Sequence, residues 1–250
     1  MDKVEKFNDK TANKDDLAYF LIKDKIINLE YPPQYQLREM ELSKELQMSR
    51  TPVRIAIARL IADGFVEEIG PKTNIVANVS PTKFMNVYRV RQTLEDLCIS
   101  LVTYSWQNKE ELKLLRDIVD KQDELSRNQT VESKLFLVLD REFHWALAKM
   151  SGNDCLAQEM IRIYDLYWRY NFYSMHHTRP KQIVQEHIDI IEAIEYRDRN
   201  RAQEAMKNHI SQTKDEILMG LANSFDPVSE LKKHTQGYFF GKAESSSSAE

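Results

Sequence analysis

Glycine and proline are scarce in this chain, at 6 and 7 among 250 residues. That scarcity disfavours a turn-rich all-β fold and favours helices. Cysteine is scarcer still. Cys98 and Cys155 stand far apart with no C-x-x-C pair, which argues against a disulfide framework or a cysteine zinc site. Both are expected to be small core residues in a reducing compartment. No apolar run approaches the roughly 18 residues that span a bilayer, and the opening MDKVEKFNDKTANKDD is polar. A soluble, cytoplasmic protein with no membrane partner is expected. An excess of positive charge is missing too. With a formal net charge of -4, nucleic-acid binding cannot be argued from the whole molecule, and any such surface must be local.

What is present is enough apolar sequence, 42% against 30% charged, to bury a real core, and a length that fits two modest domains better than one. The expected class is mostly α. Residues 1–14 lack apolar periodicity and are expected to form a flexible arm. From Leu17 to Leu29, the positions Leu17, Phe20, Leu21, Ile26 and Ile27 fit a helix that Pro32 and Pro33 end. Two short helical patterns follow, Glu39 to Leu46 and Pro52 to Ala62, separated by QMSRT. Thr51 before Pro52 predicts a capped helix start, and Gly64 a C-terminal cap. FVEEI and NIVANV then predict two strands around Gly70-Pro71-Lys72-Thr73. Three helices and a β-hairpin, over residues 15–80, make a winged helix-turn-helix with a small hairpin wing.

Ser80-Pro81 marks a boundary. Beyond it, breaks near Gln107-Asn108, Asn128-Gln129, Gly152-Asn153, Thr178-Arg179-Pro180 and Asp198 divide the chain into about six helical segments. Residues 82–224 are therefore expected to form an antiparallel all-α bundle. Residues 225–250 lose periodicity, end in AESSSSAE, and are expected to be disordered.

In a helix-turn-helix the second helix enters the major groove end-on, so its first turn must reach phosphates and base edges. That place reads Ser49-Arg50-Thr51-Pro52-Val53-Arg54. Arg50 and Arg54 are four apart and share one side. Their planar forks suit guanine, while Ser49 and Thr51 suit phosphate oxygens. Val53, Ile57 and Leu60 supply the inward face, leaving Arg59 and Lys72 for backbone contacts. Charge alone fits solvated surface arginines equally well.

In the C-terminal half, Asp140 and His144 lie four apart on a face shared with Phe136, Phe143 and Leu147. His187 falls in the stripe Ile183, Ile190, Ile191, Ile194, and His209 in the stripe Ala202, Ala205, Met206, Ile217. Each of the two histidines is 11 residues from Asp198, so a reversal there brings them to one height. One aspartate and three histidines at one level form an O/N donor set suited to zinc, nickel, manganese or iron. Taken singly, each histidine also fits a hydrogen-bonded core residue. Arg91 has two readings, an anchor for a carboxylate or a partner of Glu95. Tyr164, Trp168 and Tyr173 share one helix, and Asn153 fits a helix start.

The stretch LREMELSKELQMSRTPVRIAIARLIADGFVEEI resembles the signature of the GntR family of bacterial transcription regulators, over residues 15–79. The resemblance implies a homodimer that binds operator double-stranded DNA through Arg50 and Arg54. Met40 stands where the family pattern has arginine, with Arg38 as the nearby substitute, and Lys72-Thr73-Asn74 stands where many relatives carry glycine in the wing. DREFHWALAKMSGN resembles a helix motif of the FCD domain of FadR-type regulators, and EHIDIIEAIEYRDRNRAQEAMKNHI is similar to its closing helix pair, with coverage from about residue 82 to 223. The resemblance sets Asp140, His144, His187 and His209 at metal-ligand positions and Arg91 at an arginine that holds an effector carboxylate. Six helices fit the metal-binding VanR-like branch. The implied function is a regulator, a repressor by expectation, whose operator affinity is set by a small organic-acid effector at a divalent metal, with zinc or nickel first and manganese or iron also fitting. The alternative is a metal-dependent enzyme acting on a small acid. The paired Glu-x-x-His motifs of di-iron bundles are absent from the sequence.

Overall fold

A computed structural model describes residues 13–71, 73–106, 109–127, 133–174 and 179–223. The expected N-terminal arm, apart from residues 13 and 14, and the expected tail lie outside them. Helix α1 spans Lys14–Ile27. Asn13 Oδ1 accepts from Asp15 N at 3.2 Å, and Asp15 and Asp16 place negative charge in the first turn, where the helix dipole favours it. The buried face is Ala18, Tyr19, Ile22 and Ile26, whereas Phe20, expected to point inward, is 43% exposed. Small Ala18 allows close approach, and the neighbouring Tyr19 hydroxyl donates to Asp63 Oδ2 at 2.6 Å. A hydrogen-bonded tyrosine therefore takes the place that apolar character alone assigned to Phe20.

Helix α2 spans Glu39–Glu45 and α3 spans Arg50–Ala62. The start of α3 corrects the expected cap: Ser49 is the N-cap position, and Pro52 stands third in the helix. Proline is tolerated there because the first four helical N–H groups have no intrahelical acceptor. Val53, Ala56, Ile57 and Leu60 are buried, as their spacing predicts. Asp63 ends the helix, and Gly64 follows at φ +83, a left-handed conformation suited to glycine. Strands β2 (Val66–Gly70) and β3 (Thr73–Val76) form the hairpin. A third strand, β1 (Gln36–Leu37), pairs antiparallel with β3, Gln36 opposite Ile75 and Leu37 opposite Asn74, giving the order β1-β3-β2. Two residues are too few to show alternation, which is why the pattern missed β1.

Six helices complete the described chain: α4 (Pro81–Ser105), α5 (Lys109–Arg127), α6 (Ser133–Met150), α7 (Asp154–Ser174), α8 (Pro180–Glu195) and α9 (Arg199–Asn223). Ser80 accepts from Lys83 N at 3.2 Å, with Pro81 at the first helical position. Asn153 Oδ1 accepts from Leu156 N at 3.0 Å and so starts α7. The α8–α9 reversal is closed by Arg197 at φ 56 and by Asp198 Oδ1 accepting from Arg201 N at 3.0 Å. Cys98 is buried as expected, but Cys155 is exposed. It stands in the first turn of α7, on the side away from the inward-facing Leu156. No described helix is long and apolar enough to cross a membrane.

The winged-helix core does not stop at its own elements, because Leu137 of α6 and Trp168 of α7 are buried in it. Lys23 Nζ of α1 reaches Asp165 Oδ2 of α7 at 2.5 Å, and buried Arg169 donates to the Ala77 carbonyl.

Helices α7 and α9 approach so closely at Gly220 that an added Cβ would stand 2.8 Å from the Ser174 carbonyl oxygen. Gly220→Ala is therefore expected to destabilise the protein by about 1–3 kcal/mol, despite an intrinsic helical advantage for alanine of about 1 kcal/mol. Urea denaturation measures this, and a variant as stable as the parent would contradict the close approach.

Candidate metal centre and nucleic-acid interface

Helix α6 presents Asp140 and His144 on one face, and the α8–α9 hairpin brings His187 and His209 to the same level. One donor atom from each of the four lies within 4.8 Å of the others, and all three histidines are buried. His144 Nε2 and His209 Nε2 are 3.1 Å apart. His187 Nε2 is 3.5 Å from Asp140 Oδ1. The His187 and His209 ring centres are 4.6 Å apart, as equal spacing from the turn predicts, and Phe143 stacks on His187 at 3.9 Å.

The outer nitrogen of every imidazole faces an acceptor. His187 Nδ1 is 2.8 Å from Gln122 Oε1 on α5. His209 Nδ1 is 2.9 Å from Glu186 Oε2 on α8; His144 Nδ1 is 2.9 Å from Glu95 Oε1 on α4, but without hydrogen-bond geometry. At His187 and His209 an acceptor at Nδ1 keeps the proton there and turns the Nε2 lone pair inward, as is common for metal-binding histidines; at His144 the Arg91 Nη2 donor, 3.2 Å from Nε2, favours the same tautomer. His187 Nε2 is buried and has no hydrogen-bond partner. Two donors at right angles on an ion with bonds of about 2.1 Å stand about 3.0 Å apart, close to the observed His144–His209 separation. The residues present thus fit a divalent metal.

Electrostatics point the same way. Burial pushes all three imidazoles below their ordinary pKa, well below for His187, where the fields of His209 and His144 add to it. The histidines are therefore neutral and able to donate lone pairs. Burial raises the Asp140 carboxyl, with His209 and Arg91 opposing. Burial also opposes ionisation of Glu95, but His144, Arg91 and the Tyr164 hydroxyl outweigh it and hold the carboxyl low.

Of its two readings, Arg91 realises the pairing with Glu95. Its Nε is 3.3 Å from Glu95 Oε1, and its Nη2 donates to the Tyr164 hydroxyl, which in turn donates to Glu95 at 2.7 Å. The guanidinium stacks between Tyr164 and Tyr167, 4.5 and 4.1 Å from their ring centres. Nη2 is also 3.2 Å from His144 Nε2, and the buried Nη1 has no partner. Of the other aromatics, Trp168 faces the winged-helix core and Tyr173 packs on the bundle core. Gln122, Glu186 and Tyr167 escaped sequence reasoning. An acid beside His187 was the available signal for Glu186, whereas Gln122 is one polar residue among many on its helix.

At the other end of the molecule, Ser49, Arg50, Thr51 and Arg54 are exposed on the first turn of α3, with exposed Arg38 beside α2. Glu39, the first residue of α2, has its carboxylate 3.7 Å from Arg50 Nη2 and 3.5 Å from Arg54 Nε of α3. Arg38 pairs with Glu41 at 2.9 Å. Lys72 lies outside the described residues. Arg59, expected on this surface, is turned to α1, bonding Asp16 at 2.6 Å and covering the Tyr19 ring.

A winged helix carried by a six-helix bundle with a buried polar centre defines a two-part DNA-binding regulator. Residues 16–70 match the model of the bacterial regulatory proteins of the gntR family, and residues 86–212 match the FCD domain. The chain belongs to the gntR family of bacterial regulatory proteins, with an FCD domain, and is a DNA-binding transcriptional regulator. It is 26% identical to the Nta operon transcriptional regulator of Aminobacter aminovorans, over 77% of this chain and 89% of that protein. It is 25% identical to the HTH-type transcriptional repressor GlaR of Escherichia coli, over 77% of this chain and 90% of that one. The fold is shared with E. coli McbR/YncC, at a TM-score of 0.70 and 16% identity, over 83% of this chain and 98% of that chain.

The depressed imidazoles set the pH response of the metal-free protein. Above about pH 6.5 the unfolded histidines are neutral, as the folded ones are. As pH falls below that value the unfolded chain binds protons that the buried site refuses, so stability falls. Asp140, with its raised carboxyl, has the opposite slope, over the interval from about pH 4, where free aspartate titrates, up to its own raised value. In EDTA, the denaturation midpoint is expected to be lower at pH 5.5 than at 7.5, by less in His187→Gln than in the parent. An equal or higher midpoint at pH 5.5 would contradict neutral burial.

Proposed function

We propose that this protein is a homodimeric, cytoplasmic repressor whose operator affinity is set by a small organic acid bound beside a divalent metal in the helical bundle. The observation that carries the reading is the set of His144, His187 and His209 beside Asp140, with His187 and His209 held from outside by acceptors and His144 beside Glu95. When bound, the ion supplies a Lewis-acidic anchor for a carboxylate, with zinc or nickel preferred by the nitrogen-rich donors and manganese or iron also admitted. Arg91, with Nη1 unspent in a buried pocket, binds the other side of the acid through a charge-assisted hydrogen bond. Tyr164 and Tyr167 hold the guanidinium in place and exclude water from it.

The division of labour is a DNA-binding domain over residues 15–80 and a sensor domain over residues 82–224, which the capped start of α4 at Ser80-Pro81 supports. Arg50 and Arg54 read base edges, Ser49 and Thr51 bind phosphates, and Arg38 and Lys72 add backbone contacts. Dimerisation is supported by α4. Val90, Leu97 and Tyr104 are exposed, Tyr104 at 86%, and they alternate with half-buried Val87, Leu94 and Leu101 at the three-and-four spacing of a coiled-coil seam. Repression is supported by similarity to GlaR, which is named as a repressor.

Elemental analysis of tag-free protein is expected to find stoichiometric metal that His144→Ala and His209→Ala lose. Its absence from the parent would overturn the metal reading. Against duplexes from upstream of its own gene, Arg54→Ala is expected to lose about 1–3 kcal/mol of specific binding, read by fluorescence anisotropy. Unchanged binding would remove Arg54 from the interface.

A further inference from the structure

Helices α6 and α7 each carry a residue of the buried site next to a member of one ion-pair chain, and the member on α7 reaches the winged helix. On α6 they are Asp140 and Arg141, and on α7 they are Tyr164 and Asp165. Consecutive helical residues point about 100° apart, so one rigid helix addresses both places. Arg141 Nη1 is 3.3 Å from Asp165 Oδ1, and its guanidinium lies over Trp168, 4.9 Å from the ring centre. Asp165 is buried, and its other oxygen binds Lys23 Nζ of α1 at 2.5 Å. Lys23 Nζ is 3.3 Å from the Tyr19 hydroxyl, which donates to Asp63 Oδ2 at 2.6 Å. Asp63 is the residue that ends α3, the helix whose other end carries Arg50 and Arg54.

We propose that Asp165 is the joint through which ion binding sets the position of α3, along the chain Arg141–Asp165–Lys23–Tyr19–Asp63. The proposal rests on the metal reading above and deepens it by naming the route of regulation. A buried carboxylate shared by two cations from different elements holds only while all three keep register, because separating them leaves a desolvated charge unpaired. Asp140 must close on an ion with His144, which lies on the same helix, and with two histidines on α8 and α9. Any shift of α6 that achieves this moves Arg141 with it. Leu137 and Trp168 supply the apolar contact on which the winged helix turns, and the ion pairs set its orientation. Effective coupling requires the two arrangements to differ in affinity for the ion.

The test uses the full chain with Zn²⁺ or EDTA, and two readouts. Thermal shift reports ion binding at the site, and hydrogen exchange reports the amides of α1 and α3. In the parent, Zn²⁺ is expected to raise the melting temperature and to change exchange of α1 and α3 amides by about tenfold, a typical coupling. In Asp165→Asn the thermal shift is expected to persist while the exchange response collapses. Tyr19→Phe, which removes a single hydroxyl further along, gives a second reading should Asp165→Asn fold poorly, and is expected to lose the α3 response alone. A zinc-dependent response of parental size in both variants, or no α3 response in a zinc-binding parent, overturns the joint while leaving the metal reading intact. A parent that binds no zinc overturns the metal reading and the joint together.

Discussion

Three neutral imidazoles buried at one level of a helical bundle are the constraint around which the C-terminal half is arranged. A buried imidazole without partners on both nitrogens is costly, and here the outer nitrogens of His187 and His209 are hydrogen-bonded from α5 and α8 while that of His144 lies 2.9 Å from Glu95 of α4. Five of the six helices thereby contribute to one centre, α6 and α9 through donors, α8 through a donor and an acceptor, and α4 and α5 through acceptors. α7 contributes the tyrosines that hold Arg91. Positions that seem separate in sequence, Glu95, Gln122, Glu186 and Tyr164, are fixed by the same requirement to satisfy groups that water cannot reach.

The same helices explain why the two halves are not independent beads. A linker at Ser80 would leave the winged helix free to swing. Leu137 and Trp168 lie instead inside its core, and Arg169 holds the Ala77 carbonyl just before α4. An apolar contact alone fixes distance better than angle, because dispersion is non-directional. Directional bonds from Asp165 and Arg169 supply the angle. The expected recognition surface, at the far end of α3, therefore has an orientation defined by residues of the helical bundle.

Periodicity and end signals made most of this architecture legible in the sequence. Ser80-Pro81, Asn153 and Pro180 start helices where the chain says they should, because caps act locally. The equal spacing of His187 and His209 from Asp198 also carried through, since an antiparallel hairpin converts sequence distance into height. Failures arose where tertiary context decides. Phe20 loses its inward place to Tyr19 because a distant Asp63 can accept its hydrogen bond. Cys155 is outside because its helix begins one residue earlier and its inward face is set by Leu156. Arg59 turns away from the expected DNA surface because Asp16 lies across α1. Gln122 could not be found at all, since nothing in α5 distinguishes one polar residue that meets a histidine from those that meet water.

Charge around the centre bears on which ion it suits. Asp140, Glu95, Glu186 and Glu216 bring four carboxylates into one connected network, Arg179 binding both Glu186 and Glu216. Arg91 and Arg179 supply two guanidiniums, and the neutral imidazoles supply no charge. Carboxylates crowded in low-dielectric surroundings penalise one another, and the upward push on the Asp140 carboxyl, to which Glu95 and Glu186 add, is one expression of that penalty. A divalent ion bound among them would offset more of that charge than a monovalent one. In the proposed reading, the Arg91 nitrogen that has no hydrogen-bond partner is the one left for an incoming anion.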